Sequence, residues 1–197
     1  MNEIIKYIKE RGYVRMKELK EAGFHTRKIS ALLKKGQIEK VKSGLYKVPN
    51  YNGYNYLTSF LDVTKAAPKA VICLMSAISY YELSTVNPSE IFIAIPLSEK
   101  PPKIKYPPIR VFYWPERNYN LGIEEIKTKK GNIKIYDKEK TICDLFRYRD
   151  KLGEDIAFEA LKNYLRLKDF DLNKLRNYAE KMRVKTILSP YIKAIVG

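Results

Sequence analysis

His25-Thr26-Arg27-Lys28-Ile29-Ser30-Ala31-Leu32-Leu33-Lys34-Lys35-Gly36-Gln37-Ile38-Glu39-Lys40-Val41-Lys42-Ser43-Gly44-Leu45-Tyr46-Lys47-Val48-Pro49 changes its hydrophobic period half-way along. Before Gly36, the apolar residues Ile29, Leu32 and Leu33 recur at three- and four-residue steps, the spacing of one helix face. His25 or Thr26 stands at the N-cap position, and Gly36 stands where such a helix ends. Beyond Gly36, Ile38 to Val41 and Leu45 to Val48 flank Lys42-Ser43-Gly44, which reads as a β-hairpin with a tight glycine-containing turn. Pro49 closes the unit.

Upstream of this stretch, Asn2 can cap a helix whose apolar positions are Ile4, Ile5 and Ile8 and which ends near Gly12. Tyr13-Val14 is a short extended link. Met16 to Ala22 reads as a second helix, with Leu19 inward and Gly23 as its stop. Helix, helix, short turn, helix and basic hairpin is the order of a winged helix-turn-helix.

In that arrangement the third helix turns a polar face outward. Arg27, Ala31 and Lys34 lie opposite the apolar stripe, with Ser30 and Lys35 beside them. Arg can make paired bonds to guanine in the major groove, Ser and Lys can reach bases or phosphates, and a small Ala allows close approach. Lys40, Lys42 and Lys47, with Ser43 at the tip, are expected along the hairpin as electrostatic anchors. Arg15, Thr26 and Lys28 complete the candidate DNA contacts. His25 reads as a capping or turn residue.

Charge supports this placement. The 197 residues carry a net charge of +16, so a polyanion is the natural partner: nucleic acid first, an anionic membrane surface second. Residues 1–50 hold 13 Lys+Arg against 5 Asp+Glu, and the remaining 147 hold 25 against 17. A quarter of the chain therefore carries half of the excess.

The glycine- and asparagine-rich segment 50–55 marks the expected boundary between a domain at 1–50 and a second at 51–197. In the second, Tyr56 to Lys65 reads as a helix and Ala70 to Leu74 as a strand or the start of a buried helix. Ser76 to Leu83 is helical, and Glu90 to Pro96 is a buried strand. Two further strands are expected at Ile109–Trp114 and Ile133–Tyr136. Beyond Asp137 the pattern turns helical, with helices capped at Asp137 and Asp171, one from Glu154 to Leu167, and a last one reaching Val196. The expected fold class is mixed α+β, an N-terminal winged helix-turn-helix followed by an α/β domain with a helical C-terminal third.

Chemistry is sparse. There is no phosphate-binding glycine loop and no nucleophile–histidine–acid set, and the single histidine, His25, excludes histidine acid/base catalysis within the second domain. Cys73 and Cys143 sit in apolar settings and read as buried free thiols. With one histidine and two cysteines no zinc site, other metal site or cofactor is expected. Glu90, Glu99 and Lys100 are the candidates for metal-dependent nucleic-acid cleavage. Asp137, Glu139, Lys140, Thr141 and Asp144 read as a capped helix start. No apolar run is long enough to cross a membrane, no signal peptide is visible, and a reducing cytoplasm is the expected location.

Ala22-Gly23-Phe24, then Leu32-Leu33-Lys34-Lys35-Gly36-Gln37-Ile38 and Ser43-Gly44-Leu45-Tyr46, resemble the N-terminal winged helix of AbiEi-type antitoxins. Ile72-Cys73-Leu74-Met75-Ser76-Ala77-Ile78, Ile91 to Pro96, and Glu139-Lys140-Thr141-Ile142-Cys143-Asp144-Leu145 follow in that family's order. The family usually has Arg where Lys140 stands, and a His in the helix where Tyr80-Tyr81 stand. The resemblance implies a transcriptional repressor and antitoxin of a type IV toxin–antitoxin (abortive-infection) system, not an enzyme. It would bind operator inverted repeats in double-stranded DNA and counteract a nucleotidyltransferase-type toxin without a stable complex. The residues alone also admit a stand-alone regulator with a ligand-sensing or assembly domain, or a metal-dependent nuclease.

Overall fold

The computed structural model describes residues 2–49, 56–104 and 106–196. α1 (Glu3–Arg11) starts where the Ile4 amide donates to the Asn2 side chain, and it ends at Gly12, whose φ of 76° suits a residue without a Cβ. The link expected at Tyr13-Val14 is a paired strand, β1 (Tyr13–Arg15). α2 (Met16–Glu21) and α3 (Thr26–Lys34) follow, then the hairpin of β2 (Glu39–Lys42) and β3 (Leu45–Lys47). β1 pairs antiparallel with the free edge of β3, giving the order β1-β3-β2.

The two-residue period of these strands sends alternate side chains to opposite faces. Val14, Ile38 and Tyr46 join Ile4, Ile8, Leu19, Ile29 and Leu32 in the core of the three helices. Val41 and Leu45 are buried on the other face with Ala66, and Tyr13 and Ile104 pack beside them. Ala66 ends α4 (Tyr56–Ala66). The hairpin therefore has no open face, a consequence its own sequence does not reveal.

Contacts divide the chain into two compact units. The first comprises residues 1–68 with two later segments, 101–108 and 127–133. The second comprises 69–100, 109–126 and 134–197. α4 groups with the N-terminal elements because Tyr13, Lys42 and Lys47 all bond to it. The break expected at 50–55 lies outside the described residues.

After β4 (Val71–Ile72) come α5 (Leu74–Tyr80), β5 (Ile91–Pro96), β6 (Ile109–Trp114) and the short α6 (Glu116–Tyr119). β7 (Ile123–Thr128) and β8 (Gly131–Tyr136) complete a five-stranded sheet of order β6-β5-β4-β8-β7. It is mixed: β5 runs parallel to β6 and antiparallel to β4, and β4 runs parallel to β8. β5 is buried from Ile91 to Ile95, as its unbroken apolar run predicts. The sequence pattern gives no sign of β7, because its two apolar residues, Ile123 and Ile126, stand three apart and break the two-residue strand period, and it lies at an edge of the sheet.

The remainder is helical: α7 (Lys138–Arg147), α8 (Arg149–Leu152), α9 (Glu154–Tyr164), α10 (Leu172–Lys181) and α11 (Lys185–Val196). The fold is thus a mixture of α and β with a helical C-terminal third. Among the described residues, no helix is long and apolar enough to cross a membrane.

Asp137 caps α7 as expected, accepting from the Lys140 amide at 2.7 Å. Capping does not account for the rest of the cluster. Lys140 and Asp144 have fully buried side chains and form an ion pair, with Lys140 Nζ 2.7 Å from Asp144 Oδ1. The Lys140 ammonium also lies 4.5 Å from the Trp114 ring centroid and 4.2 Å from that of Tyr136. Burial pushes the Asp144 carboxyl up to about 6, against the pull of Lys140. Each charge is tolerable only beside the other.

Removing one partner should therefore cost more than removing both. Lys140→Met is expected to lower the unfolding free energy by about 3–5 kcal/mol, and Lys140→Met with Asp144→Leu by markedly less. Denaturant unfolding of the two variants measures the difference. A double variant at least as unstable as the single one would show that the pair is not what holds this helix in place.

Candidate nucleic-acid interface

α3 is held by Ile29 and Leu32, both buried, with Leu33 half-buried beside them. Its other faces are open: Thr26, Arg27, Lys28, Ser30, Ala31, Lys34 and, at the C-cap, Lys35 are all exposed. Helical spacing sorts them into two neighbouring stripes. Arg27, Ser30 and Lys34 form one, and Lys28, Ala31 and Lys35 the other. The second stripe lines a shallow depression shared with Asn2 and Glu3 at the start of α1.

The electrostatics of α3 suit a polyanion. A helix is stabilised by acids in its first turn, yet α3 has none, and His25 at the N-cap makes no side-chain capping bond. The ion pairs of this unit lie elsewhere: Arg11 with Glu10, Lys17 with Glu21, and Lys47 with Asp62 and Glu39. Among the described residues, α3 contributes to none of these. Arg27, Lys28, Lys34 and Lys35 face solvent without a carboxylate partner among the described residues, at a cost in self-repulsion that phosphates would remove.

The hairpin divides the remaining candidates. Ser43 is exposed at the turn, where Gly44 adopts a φ of 75° and its carbonyl accepts from the Met16 amide at 2.9 Å. Arg15, exposed at the end of β1, pairs with Leu45 next to this turn. Lys40 is exposed on β2. These three side chains can act together with α3.

Lys42 and Lys47, expected as electrostatic anchors along the hairpin, are instead bonded to α4. A register shift between Lys40 and Lys42 puts a bulge at Val41 and turns Lys42 inward. Its Nζ donates to the Ala66 carbonyl at 2.7 Å, so the amine closes the end of α4 rather than facing a phosphate. Lys47 leaves its strand on the face that α4 covers. Its side chain is 11% exposed, bonded to Asp62 and lying 3.0 Å from Glu39. Burial works against the Lys47 ammonium, but its bonds to Asp62 and Glu39 prevail and raise its pKa. Tyr13 donates to the other Asp62 oxygen at 2.7 Å. Sequence reasoning misses Asp62 because a single acid in an otherwise apolar helical stretch carries no pattern of its own.

The cleavage constellation does not form. Glu90 precedes β5 and Glu99 follows its far end, and a six-residue strand separates such ends by about 20 Å. Glu99 is instead paired with Lys69, at 2.5 Å. Among the described residues, no three His, Cys, Asp or Glu side chains gather as a metal site would require.

Every exposed candidate side chain lies between Arg15 and Ser43. Residues 2–49 match the family model described as "Transcriptional regulator, AbiEi antitoxin". The AbiEi match thus runs from α1 through β3 and takes in all the candidate DNA-facing residues. No curated protein matches the chain. Among solved structures, the crystal structure of the RV2827C protein from Mycobacterium tuberculosis is similar, with a TM-score of 0.53 and 12% sequence identity. The similarity covers 96% of this chain and 79% of that one. At that identity it is a likeness of fold.

The different surroundings of Lys40 and Lys47 give separable expectations. Lys47→Met leaves Asp62 buried without its cation and should destabilise the unit by about 3 kcal/mol or more. Lys40→Met should leave stability within about 0.5 kcal/mol. Equal thermal midpoints for the two variants would refute the inward placement of Lys47.

Proposed function

We propose that residues 2–49 form a winged helix-turn-helix that binds double-stranded DNA through α3 and the β2–β3 turn. In this reading α3 lies in the major groove, with Arg27, Ser30 and Lys34 towards base edges and Lys28 and Lys35 towards phosphates. The β2–β3 turn, with Ser43, Arg15 and Lys40, lies along the backbone or in the adjacent minor groove. The single observation that carries this reading is the exposed face of α3, cationic and without a carboxylate partner among the described residues, inside the segment that matches the AbiEi model.

The chain then acts in the cytoplasm as a transcriptional repressor and antitoxin rather than an enzyme. It binds operator inverted repeats of its own operon and counteracts a nucleotidyltransferase-type toxin encoded beside it, without forming a stable complex with it. The family match supports this general role. The second unit, built on the mixed sheet and the helices from α7 onward, is the part assigned to the antitoxin activity. Co-expression with the toxin gene of the same operon tests that assignment: restored growth supports it, and unchanged killing removes it.

DNA binding is tested with duplexes that the chain enriches from a random pool. Arg27→Ala and Lys34→Ala are each expected to weaken binding to the enriched duplex by about 1–3 kcal/mol and to relax its sequence preference. Lys40→Ala should weaken enriched and scrambled duplexes alike. Unchanged affinity for both α3 variants would remove α3 as the reading element.

A further inference from the structure

The positive charge of the chain is gathered on one unit more completely than its linear sequence suggests. The unit formed by residues 1–68, 101–108 and 127–133 holds 19 Lys+Arg against 6 Asp+Glu, a net +13. The other unit holds 19 against 16, a net +3. The two segments that join the first unit from the second half of the chain supply five lysines and no acid. Three of the five fall in one turn, Lys127-Thr128-Lys129-Lys130-Gly131.

That turn is built and not merely charged. Thr128 Oγ1 donates to the Gly131 carbonyl at 2.6 Å and accepts from the Lys130 amide at 3.2 Å. A Cβ added to Gly12 would meet the Lys130 stem at 3.2 Å, so the methylenes of Lys130 lie across the junction of α1 and β1. On the other side, a Cβ on Gly131 would lie 2.6 Å from the end of Lys65 on α4. The ammonium groups are left outward: Lys127, Lys129 and Lys130 are all exposed. Packed stems with solvated heads are how lysines present charge at low entropic cost. Gly12 lies at the end of β1 opposite Arg15 and the β2–β3 turn, about 10 Å from them along the strand.

We infer that the Lys127–Gly131 turn is a second cationic contact to the DNA backbone, extending the footprint past the winged helix-turn-helix. The inference rests on the DNA-binding reading above. A gathering of +13 on one unit raises the local phosphate potential whatever the base sequence, so the turn contributes affinity and not sequence choice.

The experiment measures binding of the full chain to a random-sequence duplex and to the enriched duplex between about 50 and about 200 mM salt. The test variant carries Lys127→Gln, Lys129→Gln and Lys130→Gln, which keep part of each stem, the packed one of Lys130 included. Its affinity should fall roughly tenfold for both duplexes, and the salt slope should flatten by about 2–3, near 0.9 for each phosphate that is no longer neutralised. The ratio of enriched to random affinity should not change. Placing Arg at the three positions should recover both affinity and slope, an outcome that damage to folding alone would not give. Wild-type slope and affinity in the glutamine variant overturn the inference while leaving the α3 reading intact, provided Arg27→Ala weakens binding. A wild-type chain with no salt-dependent duplex binding overturns both.

Discussion

Tyr13, Leu45 and Val41 face α4, while Val14, Tyr46 and Ile38 face the three helices. This double cover of a small antiparallel sheet is the constraint on which the interface depends. A hairpin with one open face could spread its lysines over solvent. Here the strand period assigns Lys47 to the covered side, where Asp62 neutralises it, and the bulge at Val41 sends Lys42 to the end of α4. Of the candidate DNA-facing cations, those left exposed are on α3, at Arg15 and at Lys40. The same packing that stabilises the hairpin thus decides which charges can meet a ligand.

Much of this is legible in the residues. Asn2, Gly12, Gly23 and Gly36 bound the first three helices because caps and positive-φ stops are local requirements. Ile29 and Leu32 identify the buried face of α3, and therefore the exposed one, by spacing alone. What is not legible depends on partners distant in sequence. β1 is only three residues and is a strand solely because β3 offers it an edge. Lys47 looks like any surface lysine until Asp62 is placed beneath it. Lys140 and Asp144 read as part of a capped helix start, yet they pair with each other and Trp114 and Tyr136 close over them. Glu90 and Glu99 look close on paper, but the length of a strand holds them apart.

These exposed candidate cations share one chemical character. They lie on a short helix and beside a tight turn, they have no carboxylate partners among the described residues of the unit, and they belong to the segment that matches the AbiEi model. The second unit is nearly balanced in charge and buries the Lys140–Asp144 ion pair completely. A division of labour follows physically: one unit suited to a polyanion through the surface it leaves open, the other assembled around a neutralised core and a mixed sheet.

Hydrogen exchange on the full chain, free and saturated with its enriched duplex, tests most directly whether α3 and the β2–β3 turn meet DNA. Slowed exchange is expected at the amides of Thr26 to Lys35 and around Ser43-Gly44, with the helices from α9 onward unchanged. Slowing confined to those later helices, with α3 exchanging at its free rate, would contradict it.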